Sequence, residues 1–470
     1  MVFVMLEVVV LFNLLIFVHE LGHFLAARWR GLKIDRFAIW FGKPIWKTKI
    51  NGVEYALGSI PAGGYVSLPQ MAPMEMIEGK ADPDHAALPP ISALDKIIVA
   101  FAGPLFSFGL ALAFALVVAS VGRPVTESET STVIGLVHKD SPAEKAGLKR
   151  GDKVLSVDGH KVTKFGGMGD SVSWYVVRSV TPSIPVEVER DGKVLTIPVE
   201  PKAEETKPWQ RKGLRQIQIE PAQTAIVGLV ASNSPAALAG IKPKDELVTV
   251  NGVTPLHYSQ VAEILDEAPG KLVHLKILRD GQNLSFDVQP VVPIKFPEDK
   301  KHPEQKKQPR MGITWADGGR TTLAYPGPFE QVGSIFNSMF STFGALFDRH
   351  SHVKVQQLGG AIKILSIYYL LFQHEDGWRM VLWFSVLMNV NLAFLNMLPF
   401  PVLDGGHITL AVVEAIRRRP ISARFLEYVQ TGCAVALISF MLYIAFYDVQ
   451  DLGGQKGGEV EFAPPPAAAK

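Results

Sequence analysis

Cysteine is all but missing from this chain. The single Cys433 lies in an apolar stretch with no second thiol to meet, which excludes an internal disulfide framework and a cysteine-based zinc site. An excess of charge is missing too. Lys and Arg number 47 against 45 Asp and Glu, a balance of +2 that gives no reason to expect nucleic acid as a partner. The N-terminus lacks the features of a secretory leader, having neither a basic stretch before its apolar run nor a small-residue cleavage site after it. Its cations (Arg28, Arg30, Lys33) follow the run, which predicts a retained membrane helix whose C-terminal end faces the cytoplasm.

What is present is apolar sequence, 48% of the residues, concentrated at the two ends of a chain long enough for several domains. Four segments reach the roughly 20 apolar residues that a membrane-crossing helix needs. They cover residues 2–27, 94–121, a stretch starting near Trp378, and 423–446. Arg417, Arg418 and Arg419 place the end of the third segment in the cytoplasm as well. Four crossings then put both termini and the region 122–377 outside the cytoplasm.

The middle of the chain repeats itself. "IGLVHKDSPAEKAGLKRGDKVLSVDG" (134–159) recurs without a gap as "VGLVASNSPAALAGIKPKDELVTVNG" (227–252), and "VEVERDGKVLTIPV" (186–199) answers "LKILRDGQNLSFDV" (275–288). Each copy reads as a strand, a short helix across "SPAxxAG", a second strand and a hairpin through Asp-Gly. These segments resemble PDZ domains of the bacterial, protease-associated kind, and that resemblance implies a groove accepting an extended peptide by strand addition. The second copy departs where Lys244 replaces Gly151, a position at which any left-handed backbone would be less comfortable. The charged, proline-containing stretches 202–213 and 296–310 read as linkers, and the low-complexity tail as disordered.

The chemistry starts at "FVHELGHFLAARWR" (17–30). His19 and His23 are four apart, so on a helix both imidazoles leave one face, the spacing of two ligands to a tetrahedral Zn²⁺. Glu20 sits beside them, placed to take a proton from the water that such a metal activates rather than to bind it. By itself HExxH is a short motif. Here it interrupts an apolar run, where ionisable groups are rare and usually functional. A catalytic zinc needs a third protein ligand, and the best candidate is Asp404 in "NMLPFPVLDGGH" (396–407), a carboxylate in an apolar segment broken by Pro399, Pro401 and the Gly405-Gly406 pair. His407, three residues further on, ranks well below it.

HExxH in a first membrane helix, "NxxPxPxLDG" in a later one, and "AGPLFSF" (102–108) and "PGPFEQV" (326–332) between them resemble the site-2 protease family of intramembrane metalloproteases, the bacterial regulator of sigma-E protease type being most similar. The resemblance implies one Zn²⁺ per chain on His19, His23 and Asp404, with Glu20 as catalytic base. It implies that Asn396, with Pro399 and Pro401 in its loop, holds the substrate backbone. It also implies a membrane-reentrant β-element whose edge, at Gly64, Tyr65 and Val66, pairs with unwound substrate. The sequence agrees that "WKTKINGVEYAL" (46–57) is a hairpin by its Asn-Gly, followed by the short strand "GSIPAGGYVSL" (58–68). Three places depart from the family pattern: Ser107 where asparagine is frequent, "LGGAI" (358–362, with Gly359-Gly360) where Gly-Pro is usual, and residues 69–92.

The expected fold is a polytopic α-helical membrane protein of four transmembrane helices, with the reentrant β-element and two α+β PDZ-like domains. Its parts are residues 1–121, the PDZ-like modules 122–205 and 214–295, a linker with membrane-surface amphipathic helices (296–377), a C-terminal membrane part (378–447) and a tail (448–470). The expected function is zinc-dependent cleavage within the membrane segments of single-span proteins, such as an anti-sigma factor or remnant signal peptides. The partners expected are those substrates, the bilayer of the bacterial inner membrane, and an extracytoplasmic peptide or substrate domain at the modules, with no nucleic acid. His23 lies about five residues, or roughly 8 Å of helix, before Arg28, which sets the zinc near the cytoplasmic face. The alternatives are an inactive membrane-tethered scaffold with a structural metal, and a transporter with a broken helix.

Overall fold

The computed structural model describes residues 2–71, 91–207, 209–295, 308–419, 421–452 and 462. Most of the linker at 296–310 and of the segment 69–92 therefore lies outside the described residues. So does the tail from 453, except Phe462. The chain forms two compact units, one of residues 1–123, 324–340 and 358–449, the other of residues 124–323, 341–357 and 450–470.

The first unit begins with helix α1 (Val2–Trp29), 28 residues that rise about 42 Å at 1.5 Å each, enough to cross a hydrocarbon core. Strands β1 (Arg36–Phe41), β2 (Trp46–Ile50), β3 (Val53–Leu57) and β4 (Ile60–Ser67) follow, ordered β2-β3-β1-β4. Asn51 and Gly52 both adopt left-handed φ (50° and 87°) and join β2 to β3 as the Asn-Gly pair predicts. Strand β1 was not expected. "RFAIWF" is a short apolar run without alternation, and periodicity cannot class such a run. It lies between the hairpin and β4, parallel to β3, and buries Phe37 and Ala38. Phe24 and Ala27 of α1, Val66 of β4, and Val99 and Ala102 of helix α2 (Ala93–Val121) close the core around Phe37. The Ser92 hydroxyl accepts from the Asp95 N–H at 3.1 Å and starts α2.

The second unit holds the two repeats. In the first, β5 (Ile134–Val137) leads to α3 (Pro142–Ala146), β6 (Lys153–Val157), α4 (Val172–Arg178), the hairpin β7–β8 (Ile184–Arg190, Lys193–Val199) and β9 (Ile219–Pro221). In the second, β10 (Val227–Val230), α5 (Pro235–Ala239), β11 (Glu246–Val250), α6 (Ser259–Glu267), the hairpin β12–β13 (Val273–Arg279, Gln282–Val288) and β14 (Ile313–Trp315) repeat that order. Each repeat ends on a strand that returns to its first one, β9 on β5 and β14 on β10. Ile219–Pro221, placed after the boundary at 214, thus pairs with the first module rather than the second.

The motif letters now have physical reasons. Ser141 and Ser234 cap α3 and α5. Asp152 and Asp245, each 1% exposed, hold Arg190 and Arg279 at 2.6 Å, so the aspartate of "RGD/PKD" meets the arginine of "RDG" in both copies. Gly151 takes φ 88° and Lys244 takes φ 73°, so the second copy does carry a lysine in left-handed backbone.

The chain then forms α7 (Pro328–Phe347), α8 (Ala361–Gln373), α9 (Gly377–Asn396), α10 (Asp404–Arg417) and α11 (Ala423–Leu452). In the first unit, Val332 and Ile335 of α7 pack with Ala111, Ala115 and Val118 of α2 and Val386 and Val390 of α9. Asp448 accepts from the Gly360 and Lys363 N–H groups at 3.0 and 3.1 Å, capping α8 from α11. Helix α11 runs to Leu452, five residues into the stretch assigned to the tail, and Phe462 is buried beside Gly312. Among the described residues five helical segments, not four, are long and apolar enough to cross a membrane. The added one, Val355–Gln373, contains Lys363 and the Gly359-Gly360 pair, which hide it in a scan for long uninterrupted apolar runs.

Candidate metal centre

Helix α1 delivers His19 and His23 to one face, both under a tenth exposed, and α10 begins at the equally buried Asp404. His19 Nε2 lies 3.2 Å from Asp404 Oδ2, His23 Nε2 lies 3.4 Å from Oδ1, and the two Nε2 atoms are 3.3 Å apart. The far nitrogens fix the tautomers. His23 Nδ1 is 2.8 Å from the Val99 carbonyl, which only accepts, so Nδ1 carries the proton and Nε2 a lone pair. His19 Nδ1 is 3.0 Å from Ser107 Oγ, while the Asn396 amide nitrogen stands 3.4 Å from His19 Nε2, which assigns His19 the same tautomer.

Two lone pairs and a carboxylate thus converge with no proton between them. Asp404 Oδ2, although 3.2 Å from His19 Nε2, accepts no hydrogen bond. Such an arrangement is repulsive unless a cation sits at its centre. Zinc at about 2.0–2.1 Å from each ligand would set them about 3.3–3.4 Å apart on tetrahedral edges, the spacing found here. Among the described residues His19, His23 and Asp404 are the group able to hold a metal ion, and His407 is not part of it.

Small residues make the room. A Cβ at Gly103 would overlap the His23 imidazole, so the glycine of "AGP" sets how closely α2 approaches the ligand. A Cβ at Gly405 would strike the Met397 backbone, so that glycine lets α10 start directly beneath the turn that breaks the chain after α9. Gly103 is a signal that the sequence carried without a stated reason, and Gly405, read there as part of the break, lies instead in the first turn of α10. Ser107, read there as a departure, is fully buried against His19. Val99, whose carbonyl holds His23, carries no signal because its contribution is backbone.

The three ligands open onto a cavity of about 180 Å³ lined also by Glu20, Gly64, Tyr65, Val66, Asn396, Val402 and Leu403. Gly64 stands so close to Glu20 that a Cβ there would lie 3.0 Å from Glu20 Cγ. The structure therefore gathers His19, Glu20, His23, Asp404, Asn396, Gly64, Tyr65 and Val66 around one space. Pro399 and Pro401 do not line it, and Val402 and Leu403 from the same loop do. Strand β4 ends the sheet order, and among the described residues no further strand pairs along its outer side.

The model of peptidase family M50 matches residues 7–440. Three relatives match over nearly their whole lengths. A protein of Neisseria meningitidis, named provisionally as a zinc metalloprotease, is 29% identical over 93% of this chain and 96% of its own. Protease RseP of Yersinia pestis is 28% identical over 94% of this chain and 98% of its own. The regulator of sigma-E protease RseP of Salmonella typhimurium gives the same 28%, 94% and 98%. A zinc-binding geometry beside a glutamate, within a match that runs almost end to end, leads to one conclusion: the chain belongs to peptidase family M50 and is a metalloprotease.

Proposed function

We propose that this chain is a zinc-dependent intramembrane endopeptidase of the bacterial inner membrane, holding one Zn²⁺ on His19, His23 and Asp404. Its substrates are membrane segments of single-span proteins, of the anti-sigma factor or remnant signal peptide class. The observation that carries the reading is the convergence of three proton-free ligand atoms on a cavity that Glu20 and the free edge of β4 share. Bound there, zinc supplies Lewis-acid activation of water and of the scissile carbonyl.

The remaining work falls to the chain itself. A membrane helix hides its peptide bonds in its own hydrogen bonds, and unpaired backbone in lipid costs several kcal/mol per group. The backbone of Gly64, Tyr65 and Val66 offers substitute partners by strand addition, which needs no particular side-chain sequence. Asn396 lies 3.4 Å from His19 and adds an amide beside the ligand cluster for a substrate carbonyl. Glu20 takes the proton from the attacking water and passes it to the leaving amine. The repeats, PDZ-like in this reading, stand outside the cytoplasm and bar substrates that still carry a bulky external domain.

The test measures zinc content and cleavage of a single-span model substrate for wild type and Glu20→Gln. Zinc retained with cleavage lost supports the reading. A Glu20→Gln protein that still cleaves removes Glu20 from it, and wild type that binds zinc but cleaves no membrane segment leaves a scaffold.

A further inference from the structure

We propose that the outer face of α4 in the first repeat is a peptide-binding surface whose resident occupant is the chain's own segment Ser341–Gln357. Helix α4 has two faces. Val172 and Val176 enter the module core, while Trp174, with Tyr175 and Val177, packs on Ala345, Leu346 and Val353. Trp174 and Val353 are 7% and 4% exposed, so the strap removes both from water. Polar contacts pin it. Trp174 Nε1 and an Arg178 guanidinium nitrogen donate to Ser341 Oγ at 2.8 and 3.1 Å. At the far end Gln357 donates to the Lys212 carbonyl at 2.6 Å, and Arg211 donates to the Gln356 carbonyl. The segment thus reaches from α4 to residues 211–212, which lead into the strand that closes the module.

The second repeat is an internal control. Counted from the core valine, Val172 in α4 and Val261 in α6, the positions of Trp174, Val177 and Arg178 become Glu263, Asp266 and Glu267. All three of those carboxylate residues are exposed. One helix of the repeated architecture therefore presents carboxylates, Glu263 paired with Arg150 at 2.9 Å and Asp266 and Glu267 exposed, and the other presents Trp174 and Val177 under cover. The cover is a property of the first copy and not of the architecture. A peptide docking on this face of α4 meets a surface already filled by the end of α7 and the residues after it, and must displace them to bind.

The test uses the full chain in detergent, with Val353→Asp to release the strap and Trp174→Glu to give α4 the residue of the second copy. Trypsin cuts after Arg349 and Lys354, both exposed but held within the docked strap, so the cutting rate reads its local opening. Both variants are expected to be cut there about tenfold faster than wild type or more, a factor worth about 1.4 kcal/mol. A labelled synthetic peptide of residues 341–357 should bind the Val353→Asp chain and neither wild type nor Trp174→Glu. Equal cutting rates in all three proteins would overturn the proposal. So would peptide binding that ignores Trp174→Glu, or a Val353→Asp chain that is cut faster and yet leaves the peptide free.

Discussion

Replacing Ser107 by alanine should weaken zinc binding while leaving the fold intact. The Ser107 hydroxyl is the partner of His19 Nδ1 at 3.0 Å, and the residue is fully buried in α2. Alanine fits the space and removes the acceptor, so the imidazole loses the contact that fixes its tautomer and aims Nε2 at Asp404. Partners of this kind typically cost 10–100-fold in metal affinity when removed, or about 1.4–2.8 kcal/mol. His23 serves as the reference, because its Nδ1 partner is the Val99 carbonyl, which no side-chain change at position 107 removes. The assay is competition against a chromophoric zinc chelator, with circular dichroism checking the helices. Threonine, which keeps a hydroxyl, should restore much of the affinity if its extra methyl packs. An alanine variant within twofold of wild-type affinity would refute the argument, since Ser107 would then be packing alone.

Two further outcomes come from the second unit. Lys244→Gly removes a left-handed lysine that costs about 1–2 kcal/mol, partly offset by glycine's extra freedom in the unfolded chain, so β11–β13 amides should gain about 0.5–1 kcal/mol in hydrogen-exchange protection; unchanged or weaker protection counts against it. Glu220 lies 2.7 Å from His138 and 3.3 Å from His257, and chiefly the His257 contact, with His138 adding to it, lowers its pKa against burial. A depressed carboxylate pKa contributes stability that is present above the unfolded value near 4.5 and lost as pH falls through the folded one, so Glu220→Gln should flatten the acid limb of thermal stability; an unchanged limb would show that the pair of histidines does not matter.

How much of this was legible in the sequence depends on whether the signal was local. HExxH could be read because helical geometry ties residues four apart to one face, and Asp404 because a carboxylate in an apolar segment must have a reason. The hairpins could be read because Asn-Gly and Asp-Gly pairs ask for left-handed backbone, which Asn51, Asp191 and Asp280 adopt. The parts that escaped are those defined by a partner far along the chain. Strand β1 is a strand because β3 and β4 flank it, and Ile219–Pro221 belongs with the first repeat because β5 is there to receive it. Ser107 shows the limit most sharply. Position 107 differs from a family pattern, and sequence alone could read that only as a departure. The neighbour that gives it meaning, His19, is 88 residues away, and the hydroxyl does for the imidazole what an asparagine side-chain oxygen could do as well, accept the Nδ1 proton. A departure in residue type can therefore keep the hydrogen-bonding role, and at a metal centre it is that role, rather than the residue type, that sets where the lone pairs point.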